Sequence, residues 1–262
     1  MVPYDFTPTS QKAFEFALFL GKKVHTEIRL IHCSNSKAKA MDAKKQLEDI
    51  ISKTNAPQGV ELTSQAAVGS IFSDIGRIAK EHKTQLIIMG THGMRGLQAL
   101  FGSHAMKVVT SADCPFLIVQ KETEIREINN VVVPIDLTKE SLQIVNIAGD
   151  MANIVGAKIH ILAEKQTDQI LNTRLKNRLG IVKKQLEDRG FEPQIQLMKR
   201  SGKYRRKIVN YCKNNGYEMI ALAYHSESVL PQFEKFAQGL ITNKPGLPVM
   251  IVNSKLASSL YF

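Results

Sequence analysis

The 262-residue chain is 44% hydrophobic and 23% charged, a composition typical of globular domains with a substantial core. Its net charge of +11 is divided almost evenly, +5 in residues 1–121 and +6 in residues 122–262, and aromatic residues make up only 6%, which argues against a nucleic-acid-binding surface. We find neither an apolar run of roughly 20 residues nor a secretory signal at the amino end, so we expect a cytoplasmic protein without a membrane partner.

The first half of the chain alternates between helix and strand patterns. Phe14, Ala17, Leu18 and Gly21 recur at helical spacing and predict a helix that packs on a sheet. Short apolar runs predict strands, and further apolar stripes predict helices. The remaining predicted elements are strands over 28–33, 61–68, 86–89 and 116–119, and helices through 47–51, 71–79 and 103–111.

The second half repeats this pattern. Val2–Thr7 (VPYDFT) recurs as Val133–Thr138 (VPIDLT), an offset of 131. Alternating helices and apolar strands predict an α/β fold with two doubly wound parallel-sheet domains in tandem. We place the domains at residues 1–121 and 130–262, with the charged segment 121–129 as the linker. The first strand is predicted to be short. The elements of the second copy are strands over 159–163, 194–198, 219–223 and 249–252, and helices over 203–214 and 234–243.

A glycine-rich segment follows the predicted strand that ends at Met89. Residues 90–103 read GTHGMRGLQALFGS and lead into a predicted helix. In a doubly wound sheet, ligands bind beyond the carboxyl ends of the strands. Glycines there let backbone N–H groups approach phosphate oxygens, and a helix amino terminus favours an anion. Ser103 also has a structural reason to be there, as a helix cap. The segment predicts a phosphate site, although glycines alone also make tight loops.

The MGTHG…GS segment, together with the VPYDFT turn, resembles the ATP-binding signature of universal stress proteins. The resemblance covers nearly the whole chain as two family domains and includes the closing strand CPFLIVQ. It implies a regulatory protein that binds ATP, or AMP or ADP, with Mg²⁺ as a further candidate. It implies no catalytic residues, although slow ATP hydrolysis stays open.

The resemblance also assigns residues to the site. It implies that Asp5, with Pro3 and Tyr4 beside it, contacts adenine, and that Cys33 contacts the base through its backbone. Met89 and Gly90 would flank the ribose. The residues implied for the phosphates are Gly93, Gly102, Ser103 and the His104 amide, and His92 either orients the loop or lies near a phosphate. Here eight residues separate Gly93 from Gly102, where the family has nine, which leaves the number of phosphates open.

The corresponding loop of the second half departs from the signature. An alignment of the two halves by sequence puts Tyr224 at the position of Gly90 and Glu227 at that of Gly93. A side chain and a negative charge at these positions oppose phosphate binding, so we expect the second domain to be a structural partner. The basic segment 201–206 is either a second anion site or a solvated helix start.

Three further expectations concern chemistry and assembly. Cys33, Cys114 and Cys212 show no CxxC pairing, so we expect free thiols and no metal site. The two domains are expected to form an intrachain pseudo-dimer through the strands 115–120 and 248–253, and a homodimer is a further alternative. The competing functions are an interaction protein with a vestigial site and a slow ATPase of the same superfamily.

Overall fold

The computed structural model describes residues 1–91, 108–138, 140–224 and 231–253. The chain divides into two compact units, Met1–Ile125 and Arg126–Phe262. Within the described residues, no helix is long and apolar enough to cross a membrane.

Unit 1 alternates strands and helices in the predicted order. Its strands are β1 (Val2–Pro3), β2 (Thr26–Ser34), β3 (Val60–Val68), β4 (Ile87–Thr91) and β5 (Phe116–Gln120). Its helices are α1 (Pro8–Gly21), α2 (Lys37–Lys53) and α3 (Ile71–Glu81), and residues 108–111 are also helical.

Unit 2 repeats this order. Its strands are β6 (Asn130–Pro134), β7 (Lys158–Glu164), β8 (Gln194–Met198), β9 (Met219–Tyr224) and β10 (Val249–Asn253). Its helices are α4 (Glu140–Val155), α5 (Gln169–Glu187), α6 (Tyr204–Asn215) and α7 (Pro231–Ile241).

Both units have the same parallel strand order. In unit 1, β2 pairs with β1 and β3, and β4 pairs with β5. The Ile88 N–H donates to the Met1 carbonyl at 2.9 Å, so β1 lies beside β4 and the order is 3-2-1-4-5. In unit 2, the order β8-β7-β6-β9-β10 is equivalent. The predicted doubly wound α/β fold is confirmed in each unit.

The order of the strands fixes where the helices lie and where a ligand can bind. Right-handed crossovers place α1 and α2 on one face of the unit 1 sheet, and α3 with the helical residues 108–111 on the other. The chain adds β2 and β3 on one side of β1 and then adds β4 and β5 on the other side. The strand order therefore switches between β1 and β4, and the crevice for a ligand lies beyond the carboxyl ends of these two strands.

Helix α1 shows how the local sequence defines an element. The Thr7 hydroxyl caps the helix by accepting from the Ser10 N–H, and Pro8 occupies the first turn, where its missing N–H costs nothing. The predicted stripe is partly wrong, because Leu18 is only half-buried, whereas Phe16 and Leu20 are buried. A 14-residue helix with a sheet beneath it buries a broader face than a single i, i+3, i+4 stripe.

The predicted element bounds differ from the observed ones mainly at the functional edge. Strand β4 was predicted to end at Met89, but it continues through Gly90 and Thr91, which pair with Val119 and Gln120 of β5. The predicted helix 103–111 is observed over 108–111, and its first part lies outside the described residues. In the segment predicted as a linker, Ile128 is 2% exposed and Ile125 is half-buried, so both of its large apolar side chains are at least partly buried.

Candidate functional site

The turn after β1 is built around the Asp5 carboxylate. Asp5 Oδ1 accepts from the Thr7 N–H at 3.1 Å and from the Thr7 hydroxyl at 2.5 Å, and the Asp5 N–H donates to Ser10 Oγ at 3.3 Å. Partial burial opposes ionisation, but the hydrogen bonds from Thr7 and Ser10 outweigh it and lower the pKa of Asp5. The turn therefore presents an ionised, exposed carboxylate at the carboxyl end of β1.

Aromatic side chains support this turn from beneath. Tyr4 is 6% exposed; its N–H donates to the Ile31 carbonyl at 2.8 Å and its hydroxyl to Gln11 Oε1 at 2.5 Å. His32 Nδ1 lies 2.8 Å from the Tyr4 carbonyl oxygen, and its ring packs on Phe6 at 5.0 Å. Phe6 has a φ of 64°, which is costly for an aromatic residue. The turn is therefore held in one shape by packing and hydrogen bonds.

Gly90 lies at the carboxyl end of β4 and contacts the first turn of α1. A Cβ at this position would overlap the Thr9 carbonyl oxygen. The sequence interpretation explained Gly90 by backbone approach to a ligand. The structure adds a packing reason, because only glycine lets α1 approach the strand this closely.

Two hydroxyls at strand ends are buried without hydrogen-bond partners in the part of the chain that the structure describes. They are Ser34 Oγ, at the end of β2, and Thr91 Oγ1, at the end of β4. Thr91 is 0% exposed. A buried polar atom without a partner costs free energy comparable to a lost hydrogen bond. Ser34 and Thr91 thus lie at the carboxyl ends of the two strands that flank β1.

The thiol of Cys33 lies one residue before Ser34, and it is half-buried and free. Burial, and after it the nearby Asp74 carboxylate, raises the pKa of this thiol, so it stays protonated at neutral pH. Asp74 itself accepts from the Ser70 N–H at 3.0 Å, and this bond leads the causes that lower its pKa. The Gly69 N–H donates to the Ser34 carbonyl at 2.9 Å, which joins the ends of β2 and β3 just before this capped start of α3.

The structure brings together part of the predicted site. Pro3, Tyr4 and Asp5 follow one another at the end of β1, and Met89 and Gly90 lie on the neighbouring β4. Cys33 lies on β2, on the other side of β1. The predicted phosphate residues lie outside the described residues; they are His92, Gly93, Gly102, Ser103 and His104. Among the described residues, no group of three or more His, Cys, Asp or Glu side chains could hold a metal.

Strand register corrects the alignment of the two halves. The Ile87 N–H donates to the Pro115 carbonyl, and the Ile220 N–H donates to the Pro248 carbonyl. Ile87 and Ile220 are therefore equivalent, at an offset of 133. Counting along the strands from this pair, Gly90 corresponds to Ala223 and Thr91 to Tyr224. The predicted match of Tyr224 with Gly90 is wrong by one residue, because the sequence alignment ignored the strand pairing.

The sequence reasoning missed Ser34, Thr91 and His32. A hydroxyl residue next to the glycine segment gives no distinctive pattern, and the predicted end of β4 placed Thr91 in the loop. Successive side chains of a strand point to opposite faces of the sheet, so extending β4 past Met89 would have pointed Thr91 to the face opposite Gly90.

The comparisons with known proteins agree with this fold. The family model "Universal stress protein family" matches residues 1–120. Two universal stress proteins of Methanocaldococcus jannaschii are each 28% identical, over 137 and 116 residues. These matches cover 46% and 41% of this chain, and 81% and 67% of the relatives.

The likeness of fold extends over the whole chain. A universal stress protein from Archaeoglobus fulgidus superposes with a TM-score of 0.74 at 16% identity, covering 97% of each chain. At this identity the superposition shows the shared fold alone. Residues 1–120 thus match the universal stress protein family in sequence, and the likeness of fold to a member of that family extends over both units.

Proposed function

We propose that the protein binds an adenine nucleotide, ATP in the first place, in unit 1, and that binding has a regulatory output. The observation that carries this proposal is the adjacency of β1 and β4, set by the bond from the Ile88 N–H to the Met1 carbonyl. It puts the Asp5 turn beside the entry to the glycine-rich segment, at the switch point of the sheet.

The chemistry of Asp5 favours adenine over guanine. An ionised carboxylate only accepts hydrogen bonds. Adenine carries an exocyclic N6 amino group that donates, whereas guanine carries an O6 acceptor at the same position. Because hydrogen bonds keep Asp5 ionised, its carboxylate would attract the N6 amino group of adenine and repel the O6 atom of a guanine held in the same orientation.

The remaining roles follow along the ligand. Tyr4 and the Cys33 backbone would line the base, and Met89 and Gly90 the ribose. The phosphates, with or without Mg²⁺, would lie on the backbone of residues 92–104. The buried hydroxyls Ser34 Oγ and Thr91 Oγ1 support the proposal, since a bound ligand would satisfy them.

We infer a binding role rather than an enzymatic one from the state of Asp5. A general base works best with a pKa near the operating pH, and the pKa of Asp5 is lowered from its ordinary value. A carboxylate of this kind recognises donors better than it removes protons.

The intrachain pairing of strands 115–120 and 248–253 stays a prediction. Exchanging one residue in each segment for cysteine, in a background that lacks the three native cysteines, would test it by disulfide formation within one chain.

The experiment for the proposed function compares two equivalent aspartates. Asp136 in unit 2 holds the same turn as Asp5: its Oδ1 accepts from the Thr138 N–H at 2.8 Å. We expect calorimetric titration to show ATP binding that Asp5→Ala weakens about 10- to 100-fold, the effect of losing a hydrogen bond to a charged group. Asp136→Ala should leave the affinity unchanged, and GTP should bind more weakly than ATP. Equal effects of both substitutions would contradict the assignment.

A further inference from the structure

In unit 2, the carboxyl ends of β6 and β7 are covered by the chain itself. Helix α6 begins at Tyr204, whose hydroxyl donates to the Leu162 carbonyl at 2.7 Å. The same carbonyl accepts from the Ile135 N–H at 2.8 Å. Its counterpart in unit 1 is the Ile31 carbonyl, which accepts from the Tyr4 N–H beside the Asp5 turn. The Tyr204 phenol therefore reaches the strand end that adjoins the Asp136 turn.

A second ring completes this cover. Phe236 of α7 stacks on Tyr204 with ring centroids 6.1 Å apart and planes inclined by 18°. At the offset of 133, Lys235-Phe236 takes the place of Gly102-Ser103. A bulky apolar ring thus stands in unit 2 at the sequence position where unit 1 has the serine of its predicted phosphate site.

Polar contacts hold the two rings in place. Arg205, next to Tyr204, donates to the Lys235 carbonyl at 3.1 Å, which joins the first turn of α6 to α7. Glu164, the counterpart of Cys33 at the offset of 131, pairs with Lys207 at 3.1 Å and accepts from the Ser201 N–H at 3.1 Å. Burial raises the pKa of the Tyr204 phenol, which keeps it a neutral donor to the Leu162 carbonyl.

We propose that the Tyr204–Phe236 pair is a built-in plug that fills the nucleotide groove of unit 2, with Tyr204 beside the Asp136 turn and Phe236 at the position of the phosphate-site serine, and that it excludes adenine nucleosides from this groove. Both rings are half-buried, so they lie at the mouth of the groove and not deep in the core. The Asp136 turn beneath them keeps the hydrogen bonds of the Asp5 turn. Two side chains therefore close unit 2 above an aspartate turn that is equivalent to that of unit 1. This inference rests on the proposed function of unit 1 for the nature of the excluded ligand.

The test removes both rings and measures how many adenosine molecules bind per chain. Adenosine is used because it carries no phosphate and so does not depend on the glycine-rich loop. The variant Tyr204→Ala/Phe236→Ser is titrated with adenosine by calorimetry, beside the parent protein and Tyr211→Ala. Tyr211 lies on the same helix and packs on Tyr217, so its truncation controls for the loss of an aromatic ring. We expect one adenosine per chain for the parent and for Tyr211→Ala, and two for the double variant. Adding Asp136→Ala should remove the second equivalent only.

The outcomes separate this inference from the proposed function. One equivalent for both the parent and the double variant would overturn the plug and leave the proposed function standing. No binding by the parent, with one Asp136-dependent equivalent in the double variant, would support the plug and refute the proposed function of unit 1.

A second measurement serves if the double variant does not fold. Truncating Tyr204 alone should leave a cavity the shape of its side chain, since apolar cavities bind small aromatic molecules. We expect p-cresol to raise the melting temperature of Tyr204→Ala, but not that of the parent or Tyr211→Ala. The absence of this difference would show that the ring fills no groove.

Discussion

At the scale of single residues, Gly90 has both a packing role, against helix α1, and a proposed role in binding the ligand. Its missing side chain admits the Thr9 carbonyl of α1, and α1 starts directly after the Asp5 turn. Strand β4 and the turn therefore depend on each other through this contact. Unit 2 has Ala223 at the equivalent position, so its α4 and β9 must meet differently.

We expect Gly90→Ala to lower the free energy of unfolding by about 1–3 kcal/mol, the usual cost of forcing extra atoms into a packed site. Urea unfolding followed by circular dichroism would measure it. The matched control is Ala223→Gly in unit 2, which should cost no more than about 1 kcal/mol from the greater freedom of glycine. Equal costs at the two positions would contradict the close contact at Gly90.

The buried His160 of unit 2 makes stability depend on pH. Its Nε2 lies 2.8 Å from Asn130 Oδ1, its ring stacks on Tyr217 at 4.1 Å, and it is 3% exposed. Burial first, and the charge of Lys158 second, lower the pKa of His160 below the ordinary histidine value of about 6.5. The unfolded chain therefore takes up a proton before the folded protein does, and acidification favours unfolding.

We expect the parent to lose stability relative to His160→Gln as the pH falls through 6.5, because only the parent carries this linked proton. Above about pH 7.5 the imidazole is neutral in both states, so the difference should be constant there. Measuring the urea concentration at the midpoint of unfolding for both proteins between pH 5 and 8 would show how this stability difference changes with pH. Parallel pH profiles for the two proteins would rule out this role for His160.

At the scale of elements, α3 packs against the helical residues 108–111 through a glycine. A Cβ at Gly76 would overlap the Ser111 carbonyl oxygen. By contrast, a Cβ at Gly180 of α5 would meet nothing within 4 Å. The two glycines lie inside helices with opposite surroundings, and they form a natural pair of test sites.

Alanine should therefore act with opposite sign at these two positions. We expect Gly76→Ala to destabilise the protein by about 1–3 kcal/mol through overpacking. Gly180→Ala should stabilise it by about 0.4–1 kcal/mol, because alanine restricts the unfolded chain and fits the helix. Thermal or urea unfolding of both variants would measure the signs, and a loss of stability in Gly180→Ala would contradict the open surroundings of Gly180.

The elements were predictable from the sequence where a single pattern dominates. The strand over 194–198 was predicted to the residue, since glutamine alternates with apolar residues at the start of its sequence, QIQLM, a pattern typical of a short strand. The end of β4 was not, because Gly90 is a poor strand former, and only the pairing with β5 keeps Gly90 and Thr91 in the ladder. The one-residue error in aligning the halves has the same cause.

The sequence predicted only those residues of the candidate site that belong to short motifs. The Pro-x-Asp turn and the glycine segment identified Asp5 and Gly90, because each motif carries its own local geometry. Thr91, Ser34 and the Tyr204–Phe236 pair depend on contacts between residues that are distant in sequence. No local pattern reveals whether a hydroxyl is left without a partner or two rings stack.

At the scale of the whole molecule, the two units share a strand order and an aspartate turn but differ where a ligand would lie. Unit 1 has a cysteine, a serine and a threonine at the ends of its strands. Unit 2 has the Glu164–Lys207 ion pair, Tyr204 and Tyr224 at the corresponding edge. This asymmetry predicts that the chain binds one nucleotide, in unit 1, although its two domains share the same fold.

The number of nucleotides bound per chain tests this account most directly. Isothermal titration of the full chain with ATP should give a stoichiometry of one. Gly102→Val should abolish binding with little change in the circular dichroism spectrum, because a side chain there blocks backbone approach to phosphate. Lys235→Val, at the equivalent position of unit 2, should leave the stoichiometry at one. A stoichiometry of two, or binding that persists in Gly102→Val but is lost in Lys235→Val, would contradict the account.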